Sequence, residues 1–184
     1  MRGWSILNQT EFLLALLCAV DEPLDGRTAI QKLAYFASVK TKTDMGYFPH
    51  YYGPYSAQVA SNLENSVALD FVVETGRSTM RDRIMYTYGL TRDGIALAKR
   101  VKSRYPEQFE VIQDVVDKCR RIAHFNIYVL SWAAKVHYIL SQSTKPMTLD
   151  EACDVGRSFG WKLSEEETRS AVRLLSSLKL VKKA

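Results

Sequence analysis

Four polar side chains stand at a helical spacing that could read a nucleic acid. Gln58, Ser61, Asn62 and Asn65 fall at i, i+3, i+4 and i+7 and would share one helix face. The amides of Asn and Gln pair a donor with an acceptor, matching the major-groove edge of adenine. Further along, Arg77, Arg81 and Arg83 crowd into one short stretch. Arginines on such a tip could grip phosphates or enter a narrow minor groove. The same residues also suit a solvated helix face and a solubilising loop. Asp82 stands between two of the arginines, and the helix face carries Glu64 and no Lys or Arg. Since phosphate contacts supply much of DNA affinity, the arginine stretch carries more of this expectation than the helix.

Other chemistry finds less support. His50, His124 and His137 form no metal-ligand spacing with Cys18, Cys119 and Cys153, and there is no Cys-x-x-Cys pair. Three scattered cysteines without a secretion signal read as reduced, mostly buried thiols. No P-loop, dinucleotide fingerprint or Gly-x-Ser-x-Gly elbow is present. The expectation is a non-enzymatic protein with no metal and no cofactor.

The elements that must position these residues follow from periodicity and caps. Asn8 or Thr10 can open a helix to about Val20, with Phe12, Leu13, Leu16, Leu17 and Val20 on one apolar face. Residues 21–26 break the chain. A second helix starts near Arg27 or Thr28, with Ile30, Leu33, Ala34, Ala37 and Val39 as its buried stripe and Gln31 and Lys32 beside it. The connection 41–55 is long and rich in Tyr, Phe and His, so it is expected to pack down or pair as a short strand, its tyrosines in the core. Ser56 caps a third helix, which buries Val59, Ala60, Leu63 and Val67. Phe71–Glu74 and Ile84–Leu90 read as paired strands around the loop Gly76–Arg83, a wing. Helix, connection, helix, basic hairpin is the order of a winged helix-turn-helix, whose second helix and wing commonly meet DNA.

Thr91 caps a further helix ending near Tyr105-Pro106 and carrying Lys99, Arg100, Lys102 and Arg104. Residues 107–123 form an amphipathic linker helix with Phe109, Ile112, Val115, Val116 and Cys119 on its inner face. Beyond it, Asn126 caps an apolar helix, Thr148 and Glu151 form a capping box, and Ser164 opens a last helix bearing Ala171, Leu174, Leu175 and Leu178.

The pattern Gly26-Arg27-Thr28-x-x-Gln31-Lys32-Leu33-x-Tyr35, the turn Tyr52-Gly53-Pro54-Tyr55-Ser56, and Tyr88-x-Leu90-Thr91-x-x-Gly94 resemble the prokaryotic YwgA-like proteins. More distantly they are similar to the Panacea domain of antitoxins related to SocA. The resemblance covers residues 8–100. It implies a winged-helix-like fold and, on the Panacea side, an interaction module that neutralises or presents a toxin.

At 184 residues the chain suits one domain or two small ones. Its net charge of +5 permits nucleic-acid binding without demanding it. The longest apolar runs are too short to span a bilayer, and a cytoplasmic location is expected. The combined expectation is a mainly α fold with a small β-hairpin: a winged helix-turn-helix domain over 1–104, a linker helix over 105–124 and a smaller helical, helix-turn-helix-like domain over 125–184. Double-stranded DNA is the expected partner, read by Gln58, Ser61, Asn62, Asn65, Arg77, Arg81 and Arg83, in the service of transcription regulation. The alternative is a protein-interaction module of antitoxin or adaptor type. Apolar helices in 125–184 suggest a homodimer through that region, or packing back onto the first half.

Overall fold

Helices begin where something can take up their first free N–H groups. The computed structural model describes residues 7–78 and 84–181. In chain order it contains α1 (Gln9–Val20), β1 (Leu24–Asp25), α2 (Arg27–Thr41), α3 (Ala57–Ala68), β2 (Val72–Ser78), β3 (Ile84–Leu90), α4 (Arg92–Arg104), α5 (Pro106–Ala123), α6 (Ile127–Ser141), α7 (Leu149–Ser158) and α8 (Glu165–Ser177). Asn8, Thr148 and Ser164 each close a reciprocal capping box with a Glu three residues on. Ser56, Thr91 and Asn126 accept N–H groups from the first turns of α3, α4 and α6. Pro106 opens α5, where a missing N–H costs nothing. Only α2 follows a residue without a side chain, Gly26.

The protein is mainly α with a small antiparallel sheet in the order β1-β3-β2. Leu24 lies opposite Tyr88, and the hairpin pairs Val72 with Leu90 through to Ser78 with Ile84. Two differences from the sequence reading follow. The break at 21–26 contains β1, a strand of only two residues. The hairpin is also longer than expected, so Gly76 and Arg77 belong to its ladder and Arg77 faces Met85 across it. Arg81 and Arg83, the other two arginines expected in the loop, lie outside the described residues.

Both central helices are buried far beyond a single stripe. In α1, eight residues from Phe12 to Val20 are buried, and in α2 every residue from Ala29 to Ser38 is. A helix enclosed on all sides needs neighbours all round. Here α1 packs on α2, α3, α4 and α5, and α2 packs also on α6. The inner residues expected of α5, Phe109, Ile112, Val115, Val116 and Cys119, are all buried. They close on α1 and α2 and reach α8, so one apolar cluster runs from Leu7 to Leu178. The apolar faces of α6 and α8, through which a homodimer over 125–184 is expected, bury Leu130, Ala134, Val136, Ala171 and Leu174 within the same chain.

The hairpin is locked to α4 by backbone contact. Thr91 donates its N–H to the Phe71 carbonyl (3.1 Å) and its hydroxyl to that of Asp70 (2.7 Å). A Cβ on Gly94 would stand 2.0 Å from the Phe71 carbonyl oxygen, which a side chain cannot share. Gly94→Ala is therefore expected to lower stability by about 3 kcal/mol. Urea unfolding should show an earlier midpoint at unchanged slope; an unchanged midpoint would disprove the close approach.

Candidate functional site

The α3 face expected to read bases is partly committed elsewhere. Gln9 donates to the Gln58 side chain (2.6 Å), and Thr10 donates to the Asn62 side chain (2.8 Å). Asn62 in turn donates to Gln9 (3.2 Å) and to the Gln58 carbonyl (2.8 Å). These bonds tie α3 to the first turn of α1. Ser61 and Asn65 remain exposed. Glu64, on the same side, accepts from Arg27 (3.0 Å). Arg27 also donates to the Tyr88 hydroxyl (2.7 Å) and to Glu74 (3.2 Å), fastening α2, α3 and the wing root together. Arg77 is exposed on β2, 3.8 Å from Asp25.

The basic run expected on the helix after the hairpin lies on α4, and its last arginine reaches the first turn of α1. Lys99, Arg100, Lys102 and Arg104 are exposed on α4. Arg104 lies 3.8 Å from Glu11, which is one residue from Thr10, the partner of Asn62. Lys99 and Arg100 are in no ion pair with a described carboxylate, whereas Lys118 pairs with Asp114 and Arg120 with Glu22 and Asp117.

A second constellation lay hidden in the motif that carried the resemblance. Gln31, inside α2 and 5% exposed, takes both backbone groups of one residue: it donates to the Ser56 carbonyl (2.8 Å) and accepts the Ser56 N–H (3.0 Å). The Ser56 hydroxyl donates to the Met45 carbonyl while capping α3. Lys32, 2% exposed, donates to the Pro54 carbonyl (2.7 Å). Gly53, with φ +97°, fits where a Cβ would meet the Lys135 stem at 3.1 Å and the Ser131 carbonyl at 3.5 Å. Trp161 closes the far side by donating its indole N–H to the His50 carbonyl (2.7 Å). The irregular segment 42–56 is thus seated between α2, α6 and the α7–α8 connection. Phe48 and Tyr55 form one bridge, as a short pairing was expected to. Contrary to the expectation that the tyrosines are core, Tyr51 and Tyr52 point outward, 74% and 58% exposed. The missed signal was two long polar residues, Gln31 and Lys32, in the middle of an apolar helix.

Beside this seat opens a cleft of about 350 Å³ walled by Tyr52, Tyr128 and Trp132, with Thr28, Ser131 and Lys135 among its lining. Burial, with Lys135 as a like charge nearby, pulls the Lys32 ammonium down to about 7; burial also lowers Lys135, against the pull of Glu167. Behind it, burial pulls His137 down to about 4, so its neutral ring can accept the Tyr35 hydroxyl proton at Nδ1 (2.8 Å). Burial raises the Cys119 thiol to about 12. Among the described residues no group of three or more His, Cys, Asp or Glu is placed to hold a metal, and no helix is long and apolar enough to cross a membrane. No protein-family model matches the chain, and no curated protein matches it.

Two outcomes follow from the seat. Gln31→Ala strands a buried N–H and a buried carbonyl together, and should cost about 2–4 kcal/mol; thermal unfolding reads it, and a Tm within a degree or two of wild type would contradict the clamp. Lys32 holds its proton up to pH 10.5 when free but only to about 7 when folded. Between those values the unfolded chain binds the extra proton, so stability rises with pH. Wild type should gain on the order of 2 kcal/mol between pH 7 and pH 9 relative to Lys32→Met. Equal pH slopes for the two would contradict a buried, readily deprotonated Lys32.

Proposed function

We propose that this chain is a non-enzymatic, DNA-binding winged-helix protein acting in transcription regulation. The observation that supports it best is the exposed basic run of α4, in which Lys99 and Arg100 meet no described carboxylate, together with the helix, helix, hairpin order that precedes it. In this reading Lys99, Arg100 and Arg104 neutralise phosphates together with Arg77 and the wing-tip arginines Arg81 and Arg83. Ser61 and Asn65 are the α3 side chains free to meet base edges. Gln58 and Asn62, held by Gln9 and Thr10, orient the helix more than they read.

A second reading is a protein-interaction module, of the antitoxin or adaptor kind that the resemblance to YwgA-like and Panacea-type chains implies. The outward tyrosines Tyr51, Tyr52 and Tyr128 favour it, since exposed aromatics are enriched at interfaces.

Fluorescence anisotropy with a labelled random-sequence duplex separates the two. Each neutralised phosphate contributes about −0.9 to the slope of log affinity against log salt. With Lys99, Arg100, Arg104 and Arg77 engaged, the slope should be about −3.6 or steeper, and it should flatten by roughly 2 in K99E/R100E. No binding at about 50 mM salt, or a slope the double variant leaves alone, would sink the DNA reading.

A further inference from the structure

The cleft beside the clamped turn combines features that a plain surface does not need. Tyr52 and Tyr128 hold their rings in solvent, 58% and 64% exposed, facing a common hollow with Trp132. Tyr128 and Trp132, one helical turn apart, have ring centroids 6.4 Å apart at 37°. Aromatic surface left in water is unfavourable unless something covers it. The hollow measures about 350 Å³, near the lower end of the range of small-molecule sites, roughly 300–1,000 Å³. That suits a ligand of one or two fused rings.

Charge defines the other half of the ligand. Lys135 lines the hollow, and the stems of Lys135 and Lys32 both stand where a Cβ on Gly53 would touch them, at 3.1 and 3.6 Å. Neither forms an ion pair with a described carboxylate. The acid nearest in influence, Glu167, is held in the capping box of α8, where its carboxylate accepts the Ser164 N–H (2.7 Å). The Lys135 ammonium lies over the Trp161 ring, 5.8 Å from the centroid. Thr28, near the start of α2, adds a hydroxyl to the same lining. Cationic charge removed from water and not matched by an acid favours an anion.

We propose that this cleft binds a small planar aromatic carboxylate. The ring lies among Tyr52, Tyr128 and Trp132, the carboxylate turns toward Lys135, and Thr28 donates a hydrogen bond to it. The site does not depend on DNA binding, and its test does not use DNA.

The full chain, labelled with 15N, is titrated with 2-naphthoate and with its neutral isostere 2-naphthamide, and amide and indole shifts are followed by NMR. Saturable shifts centred on Gly53, Tyr128 and the Trp132 indole are expected with the acid, which should bind at least about tenfold more tightly than the amide. Lys135→Met should remove that preference. Tyr128→Ala, at a position exposed enough to leave the fold intact, should weaken both compounds by about tenfold. No saturable shift up to about 10 mM, or shifts scattered away from the cleft, would overturn the site. Equal affinity for acid and amide, or a preference that survives Lys135→Met, would overturn the carboxylate assignment. An unchanged spectrum away from the cleft in each variant keeps loss of folding from passing as loss of binding.

Discussion

Burying an irregular segment of backbone is costly unless its peptide groups are met, and the fold depends on how Gln31 and Lys32 meet them. Residues 42–56 cross the face of α2 without regular pairing, apart from one bridge. Their N–H and C=O groups would otherwise be stranded against apolar helices. Gln31 copies the hydrogen-bonding edge of a strand within a helix, because its amide donates and accepts along the same edge. Lys32 reaches a carbonyl that Pro54, lacking an N–H, leaves at the end of the turn. Replacing either by an apolar residue of similar size would keep the volume and lose the seat. The outcome of that seating is the position of Ser56, and Ser56 begins α3.

From that point α3 and the hairpin are fixed by a chain of polar ties laid over the apolar core. Ser56 caps α3, Asn62 and Gln58 hold it to α1, and Arg27 holds Glu64 of α3 and Glu74 of β2 while resting on Tyr88. The exposed ion pairs of Arg27 each contribute only a few tenths of a kcal/mol. Their value is orientation, because three elements converge on a single planar guanidinium whose donors point in fixed directions. Arg27 is the first residue of α2 and Thr28 the second. One turn of helix therefore faces α3 and the wing root on one side and the aromatic cleft on the other.

Much of this was legible from the residues. Capping side chains announced six helix starts, because their hydrogen bonds are local and leave a signature within four residues. The inner face of α5 was legible for the same reason: an amphipathic period of 3.6 needs no tertiary knowledge. What escaped was non-local. β1 is too short to show alternation and exists because β3 offers it an edge. Arg77 joined a ladder whose length depends on its partner strand. Tyr51 and Tyr52 were read as core from their type, yet their exposure is set by Gly53 and Pro54, which turn the chain so that the backbone faces the helices and the rings face outward. Gln58 and Asn62 had the right spacing for a reading face, and only the position of Gln9 and Thr10 revealed their other engagement.

The position of α5 in the core also joins residues from both ends of the chain in one apolar cluster. In α5 the stripe is wide enough to pack on α1 and α2 while touching α8, so the helix has neighbours from both ends of the sequence. Trp161 repeats that logic on a smaller scale. Its ring is part of a second cluster with Ile139 and Ala152, and its indole N–H is spent on His50, more than a hundred residues earlier. A hydrogen bond across that separation is stable only when the elements carrying both partners are already held in place. The seat of residues 42–56 therefore needs the C-terminal helices as well as α2, which is why its shape could not be read from the first hundred residues, where its motif lies.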